Sequence, residues 1–278
     1  MATPIGTLGD LPPRAQEVLS GVDVILAEDT RRVGRLFDLV GLRTVGRMLS
    51  CHEHNEADRV AQALAVLRDG RSVALVSDAG TPVLSDPGFV LVREARREGL
   101  RVASVPGPSA FTAALAASGQ PPLPATLVGF LPPKAGARRR RVAELAALSW
   151  TMVILLSPHR LRDELRDLAQ GMGFDRPATL LAELSKLHER GVKASLGELV
   201  EDDETTRPRG EYIIVIGPVE PEQGGDEVPP QRVREVYDAG LEAGLTRKEA
   251  IKSTAASLGL RRRAVFDALV VDSSDTSD

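Results

Sequence analysis

The stretch that decides the fold is Val73 to Gly88, VALVSDAGTPVLSDPG. Its apolar β-type run (Val73, Ala74, Leu75, Val76) stops abruptly in small and turn-forming residues. A second run, Arg101 to Ala110 (RVASVPGPSA), reads as strand-like and is also closed by Pro, Gly and Ser. In α/β sheets, ligands bind outside the carboxyl ends of the strands, where small residues let the backbone come close. Two such ends within about thirty residues point to one shared pocket.

Outward from that stretch, strand-like and helix-like segments alternate, which predicts parallel sheets joined by helical crossovers. Asp23 to Ala27 reads as a strand and Thr30 to Val40 as a helix stopped at Gly41. Asn55 is expected to cap a helix to Leu67, and Asp86-Pro87 to open another, with Asp as cap and Pro in the first turn. Ser109 is placed to cap the next, an Ala-rich helix. The three prolines in Gln120 to Pro124 place a domain boundary there. Strands follow at Thr126 to Phe130, Met152 to Leu156, Thr179 to Ala182 and Tyr212 to Ile216, with helices near Arg139 to Leu148 and Pro158 to Gln170. The expected organisation is an N-terminal α/β domain (1–120), a second α/β domain (121–218), a Pro- and Gly-rich acidic linker (219–230), a helical module (231–271) and a disordered Ser/Asp tail (272–278). In the module, Thr246 and Glu249 form a capping box in a helix-turn-helix-like unit. The chain opens in a turn, Met1 to Gly6, so the first strand of the N-terminal sheet is expected to be missing or to lie upstream.

Composition narrows the function. With 42% apolar residues and no long apolar run, the chain reads as globular, without a membrane span or an export signal. The single Cys51 excludes an intramolecular disulfide and fits a cytoplasmic protein. Net charge is −4, so any attraction to nucleic acid is local: four arginines run from Arg138 to Arg141 and three from Arg261 to Arg263. Nine aromatics (one Trp, two Tyr, six Phe) are too few for a broad base-stacking surface. His52-Glu53-His54-Asn55 looks superficially like a metal-ligand set, yet its spacing on a loop fits no structural zinc pattern, and no metal is expected.

The motifs resemble those of the bacterial small-subunit ribosomal RNA methyltransferase I family, within the tetrapyrrole methylase (class III methyltransferase) superfamily. The resemblance rests on Thr3-Pro4-Ile5-Gly6, Ala27 to Arg31, His52 to Asn55, Ser77 to Gly88, Val105 to Ala110, Gly129 to Pro132, Ser157 to Leu161 and Gly210-Glu211, in the expected order. It implies a two-domain α/β homodimer holding S-adenosylmethionine in the inter-domain cleft, and methyl transfer to a cytidine 2′-hydroxyl in the decoding region of small-subunit ribosomal RNA. Carried onto this chain, the cofactor residues are Pro4, Gly6, Asp78, Gly80, Thr81, Val83, Pro108, Ser109, Ala110, Leu156 and Leu184. Substrate contacts fall to Arg31, His52, Asn55, Arg138, Arg139, Arg140 and Lys186. A ribose hydroxyl is a weak nucleophile that benefits from a base, for which Asp29, Glu28, His54 and Glu183 are the candidates. The chain departs from the family pattern at Thr7, at Leu155-Leu156-Ser157 and at Leu181 to Lys186, which removes an acid and an arginine from the expected cleft. Two other readings stand beside this one: methylation of a tetrapyrrole or corrinoid precursor, and a non-catalytic ribosome-binding module.

Overall fold

A computed structural model describes every residue except 53, 85, 203–208, 220–227, 259, 261–264, 267 and 270–278. One compact unit, Met1–Val219, carries two sheets; the described residues beyond it belong to a second unit. The Arg261 to Arg263 run, the tail and most of the linker lie outside the described residues.

The first sheet forms where short apolar runs alternate with amphipathic helices. After α1 (Pro13–Gly21) come β1 (Val24–Ala27), α2 (Thr30–Leu39), β2 (Arg47–Ser50), α3 (Glu56–Arg68), β3 (Val73–Val76), α4 (Phe89–Arg97) and α5 (Ala110–Ser118). The three strands are parallel in the order β2-β1-β3. Successive side chains leave opposite faces of a strand. Ile25 and Ala27 of β1 therefore pack with Leu19, Val33 and Phe37, while Val24 and Leu26 pack with Val60, Leu64 and Leu91. Helices cover both faces, and all four residues of the central strand β1 are buried.

The residues Arg101 to Ser109 do not form a strand, contrary to expectation. Among the described residues their backbone hydrogen bonding to the N-terminal segment is one long bond from the Ala2 amide to the Val105 carbonyl (3.5 Å), too little for a ladder. No strand precedes β1 among the described residues. The N-terminal residues instead follow the outer edge of β3: the Met1 amine donates to Leu75 O (2.7 Å), and Thr3 forms an antiparallel bridge with Gly80.

The second sheet is mixed rather than parallel. Its strands are β4 (Ala125–Phe130), β5 (Thr151–Leu156), β6 (Pro177–Ala182), β7 (Arg190–Ser195) and β8 (Tyr212–Ile216), in the order β4-β5-β8-β6-β7. β4 and β5 are parallel, but β8 inserts antiparallel between β5 and β6, and β6 pairs antiparallel with β7. One face packs on α6 (Ala135–Ala146), α7 (Leu161–Met172) and α8 (Leu196–Glu201) through Val142, Leu165, Leu168 and Leu196. The other face packs Val153, Ile213 and Val215 against Ala114 of α5, with Ile5 at the margin.

In the second unit, α9 (Pro230–Glu242) and α10 (Arg247–Ser257) form a helix pair, and the Thr246/Glu249 capping box is present. The third helical segment expected there falls largely outside the described residues.

Candidate functional site

The loops that leave β3 and enter α5 meet the second sheet around an open pocket of about 130 Å³. Gly80, Thr81, Leu84 and Asp86 supply one wall, Ser109, Ala110 and Phe111 a second, and Leu127, Phe130 and Leu155 the third. The Thr81 hydroxyl donates to Pro108 O (3.1 Å), tying two of those walls together. Whole-ligand pockets run from about 300 Å³ upward, so this space takes part of a cofactor-sized molecule. Of the residues expected to bind cofactor, Gly80, Thr81, Ser109 and Ala110 line it, and Pro108 borders it. Val83 adjoins it with φ +77°, an uncommon conformation for a β-branched residue, of the kind that collects at ligand sites.

Other expected cofactor residues lie around this pocket. Asp78 joins the ends of β1 and β3: its Oδ1 accepts the Asp29 amide (2.9 Å), and Oδ2 lies 3.3 Å from Arg32 Nη1. Pro4 is buried beside the Thr3–Gly80 bridge, Gly6 lies against the Ser185 carbonyl, and Leu184 belongs to the apolar cluster that holds Ala110 and Leu155. Leu156 requires correction. It points into the opposite core with Ile154 and Leu161, because alternation on β5 gives the pocket face to Leu155.

The four candidate bases separate by their partners. Asp29 caps α2: its Oδ1 accepts the Arg31 amide (2.8 Å), and its carboxylate takes Arg31 Nε (3.1 Å) and Nη2 (2.7 Å). That guanidinium, reinforced by the backbone amide, holds the Asp29 carboxyl well below the usual carboxylate range, which suits a clamp and not a base. Arg31 is correspondingly paired rather than bare. Glu183, at φ +53°, accepts Lys186 Nζ (2.9 Å) and the Glu211 amide (2.8 Å), and both lower its pKa. Lys186 is thereby engaged with Glu183 and Glu211. His54 is exposed on its loop, its ring 5.9 Å from that of His52, whose buried Nδ1 has no partner among the described residues. Asn55 precedes α3 without capping it; its Oδ1 accepts the His52 amide (2.9 Å) and its Nδ2 donates to Ser50 O (3.2 Å), so it shapes the loop.

Glu28 bears on a carboxyl that the sequence reading treated only as a cap. Helix α4 starts at Phe89 behind Gly88, whose φ of +118° no Asp86 cap requires, and whose absent Cβ leaves room for Leu75. Asp86 is thus released from capping and lines the pocket. Burial first, then the charges of Glu28 and Asp78, push its carboxyl up to about 6. The sequence signal for it was Asp-Pro, the same signal that a helix start gives.

The arginine run also divides. Arg139 and Arg140 are exposed on α6, but Arg138 is buried, its Nε 2.6 Å from Asp167 Oδ2, so the substrate contact expected of it is corrected to a core ion pair. Asp167 also receives Arg139 Nε at 3.0 Å. Among the described residues no group of His, Cys, Asp and Glu is placed to hold a metal ion, and no helix is long and apolar enough to cross a membrane.

Fold and pocket together define a two-sheet methylase of the tetrapyrrole type: the family model for Tetrapyrrole (Corrin/Porphyrin) Methylases matches residues 2–200. Among solved structures, the methyltransferase CobJ superposes with a TM-score of 0.58 at 19% identity, covering 78% of this chain and 91% of that one. The Thermus thermophilus uroporphyrin-III-C-methyltransferase does so with 0.52 at 22%, over 78% and 91%. At such identities they attest the fold alone. Sequence relatives are nearer. The ribosomal RNA small subunit methyltransferase I of Xylella fastidiosa is 42% identical over 96% of this chain and 96% of its own length. That of Mycobacterium tuberculosis is 39% identical over 99% and 95%. The chain belongs to the ribosomal RNA small subunit methyltransferase I family.

Proposed function

We propose that this methyltransferase moves a methyl group from S-adenosylmethionine to the 2′-hydroxyl of a cytidine in the decoding region of small-subunit ribosomal RNA. The observation that carries this reading is the pocket between the β3 loop and the second sheet, with its half-buried, weakly acidic Asp86. The names of the relatives support the RNA substrate.

The residues present suit the cofactor. Gly80 and Ala110 allow close approach, and Leu127 and Leu155 offer an apolar wall to a nucleoside. Bound there, S-adenosylmethionine supplies an activated methyl group on a positively charged sulfur. The chain's own task is alignment of the acceptor oxygen, worth roughly 7–11 kcal/mol of barrier at best, and removal of its proton. Asp86 is the group we assign to that removal. It faces the pocket, and among the described residues none donates a hydrogen bond or ion pair to it. Its pKa near 6 leaves it ionised at neutral pH yet more basic than an ordinary carboxylate. As the oxygen gains its methyl group, the hydroxyl proton passes to a carboxylate oxygen of Asp86. Glu28 is assigned to sustaining that basicity by its charge, and Asp29, Asp78 and Glu183 to holding the loops. The exposed Arg139 and Arg140 offer phosphate contacts, as do His52 and His54 on the β2 loop for the acceptor strand. The same reading takes the protein as a cytoplasmic homodimer.

Small ribosomal subunits from a strain lacking the modification, incubated with methyl-labelled S-adenosylmethionine, should gain label as 2′-O-methylcytidine. Absence of incorporation by the folded protein would sink the proposal, and label entering a tetrapyrrole precursor instead would favour the macrocycle reading.

A further inference from the structure

Strand β4 carries one residue more than its partner. Leu127 pairs with Val153, Gly129 with Ile154 and Phe130 with Leu155, so three steps along β4 match two along β5. The extra residue is accommodated at Val128-Gly129, where Gly129 takes φ +76°. Such bulges re-aim the side chains that follow them. Here the consequence is specific. Alternation alone would send Leu127 and Phe130 to opposite faces, yet both line the pocket, while Val128 packs on the α6–α7 side. Without the bulge, Phe130 would fall opposite Leu156 and its ring would turn toward the core that Leu156 occupies.

What the bulge delivers is unfavourable for folding by itself. The Phe130 side chain is 61% exposed at the pocket, next to the half-exposed Leu84, in a chain of only nine aromatics (one Trp, two Tyr, six Phe). Phe89, Phe174 and Phe266 are about as exposed, but of these four only Phe130 lines the pocket, carried there by the backbone irregularity, and it is that placement which points to a ligand covering the ring. The ligand has to be flat and apolar on its faces, polar at its edge, and adjacent to Thr81, Ser109 and Asp86.

We propose that Phe130 is the stacking platform for the base of the acceptor nucleotide. The inference rests on the RNA reading given under Proposed function, and it names how that substrate is held. Single-stranded bases splayed from RNA are held by stacking on aromatic side chains. The acceptor base fits better than the cofactor's adenine because the exposure is graded: Leu127 and Leu155 are half-buried within the pocket, whereas Phe130 is open to the outside. Stacked there, the base brings its ribose to the wall that carries Asp86.

The test uses the full-length protein with Phe130→Ala and Phe130→Trp. Stacking is typically worth 1–3 kcal/mol per base, so F130A should raise the KM for unmethylated small ribosomal subunits by about 5- to 150-fold. Calorimetric affinity for S-adenosylmethionine should stay within twofold. F130W should restore the KM, and its indole fluorescence, read against Trp150 in the wild type, should be quenched as the subunits bind. The idea is overturned if F130A methylates subunits with an unchanged KM, if it loses cofactor affinity instead (the ring then serves the adenine), or if it changes only the self-association of the protein. A wild-type protein that methylates no ribosomal subunits would defeat the RNA reading; wild-type activity with an indifferent F130A defeats this inference alone.

Discussion

At Asp86, stability and chemistry pull in opposite directions. Its carboxyl is raised from 3.8 to about 6, by burial first and then by Glu28 and Asp78. A raised carboxylate destabilises the fold when ionised. Below about pH 4 both folded and unfolded chains are protonated and the group is neutral to stability. Between about 4 and 6 the unfolded chain releases the proton first, so stability falls as pH rises, and above 6 the loss is constant. Two units would correspond to about 3 kcal/mol; half-exposure to solvent reduces this to about 1 kcal/mol. Asp86→Asn should therefore raise the melting temperature at pH 7.5 by about 2–4 °C, with the difference vanishing near pH 4. The same variant should lose about a hundredfold in kcat. In the wild type, kcat/KM should rise with pH through a limb near 6 that D86N lacks. Arg32 on Asp78 and Glu56 on the Gly88 amide are further charged groups placed against this loop. A D86N protein that melts and turns over as the wild type does would remove Asp86 from the mechanism.

At the scale of elements, helix α6 shows what a charge run conceals. Consecutive helical residues are about 100° apart, so four arginines in a row sweep every face, and one must meet the core. Arg138 shares its stripe with Val142 and Leu145, and all three are buried. Arg138→Ala would leave Asp167 buried with, among the described residues, only Arg139 on it, at a cost of about 3 kcal/mol in denaturant unfolding. Arg140→Glu should leave stability within about 0.5 kcal/mol while weakening RNA binding most at low salt. Equal stability losses for the two variants would contradict this division. The i, i+4, i+7 spacing of 138, 142 and 145 was legible in the sequence; the acidic partner on α7 was not. Strands show the same limit. β1, β3, β5 and β8 were readable because they are apolar runs in sheet interiors or beside helices. The edge strands β2 and β7 were not, since RMLS and RGVKAS are charged or polar in part and none of their residues is fully buried. Nor could local pattern reveal that β8 inserts antiparallel between β5 and β6, a pairing across dozens of residues. The pocket was legible through its loops, Gly80-Thr81 and Ser109-Ala110. Asp86 and Phe130 escaped because their roles depend on where α4 begins and on a one-residue bulge.

At the scale of the molecule, the pocket exists only while the two sheets of the first unit keep their spacing, and a small junction near the N-terminus sets it. Thr7 Oγ1 donates to Ser185 O (2.6 Å), and Ser185 Oγ donates to Asp10 Oδ2 (2.8 Å), joining residues about 175 positions apart. Gly6 sits at the tightest point of this contact. A Cβ there would lie 2.5 Å from the Ser185 carbonyl oxygen and 2.7 Å from Lys186 Cγ, and the oxygen belongs to backbone held at φ +64°. Gly6→Ala must therefore push the Leu184 to Lys186 turn away from the first sheet. Overpacking of this kind costs about 1–3 kcal/mol, and Leu184 transmits the shift to the cluster that carries Ala110 and Leu155. We expect G6A to bind S-adenosylmethionine about tenfold more weakly (~1.4 kcal/mol) although no pocket residue has changed. Gly9→Ala is the matched control: its Cβ would meet only Thr7 Cγ2 at 3.8 Å, an ordinary contact. Calorimetry and thermal denaturation of both variants decide the matter. If G6A and G9A bind cofactor equally well, the N-terminal turn supports the fold without governing the pocket; if G6A alone weakens binding, the affinity of the site is set in part by packing at Gly6, outside the residues that line it.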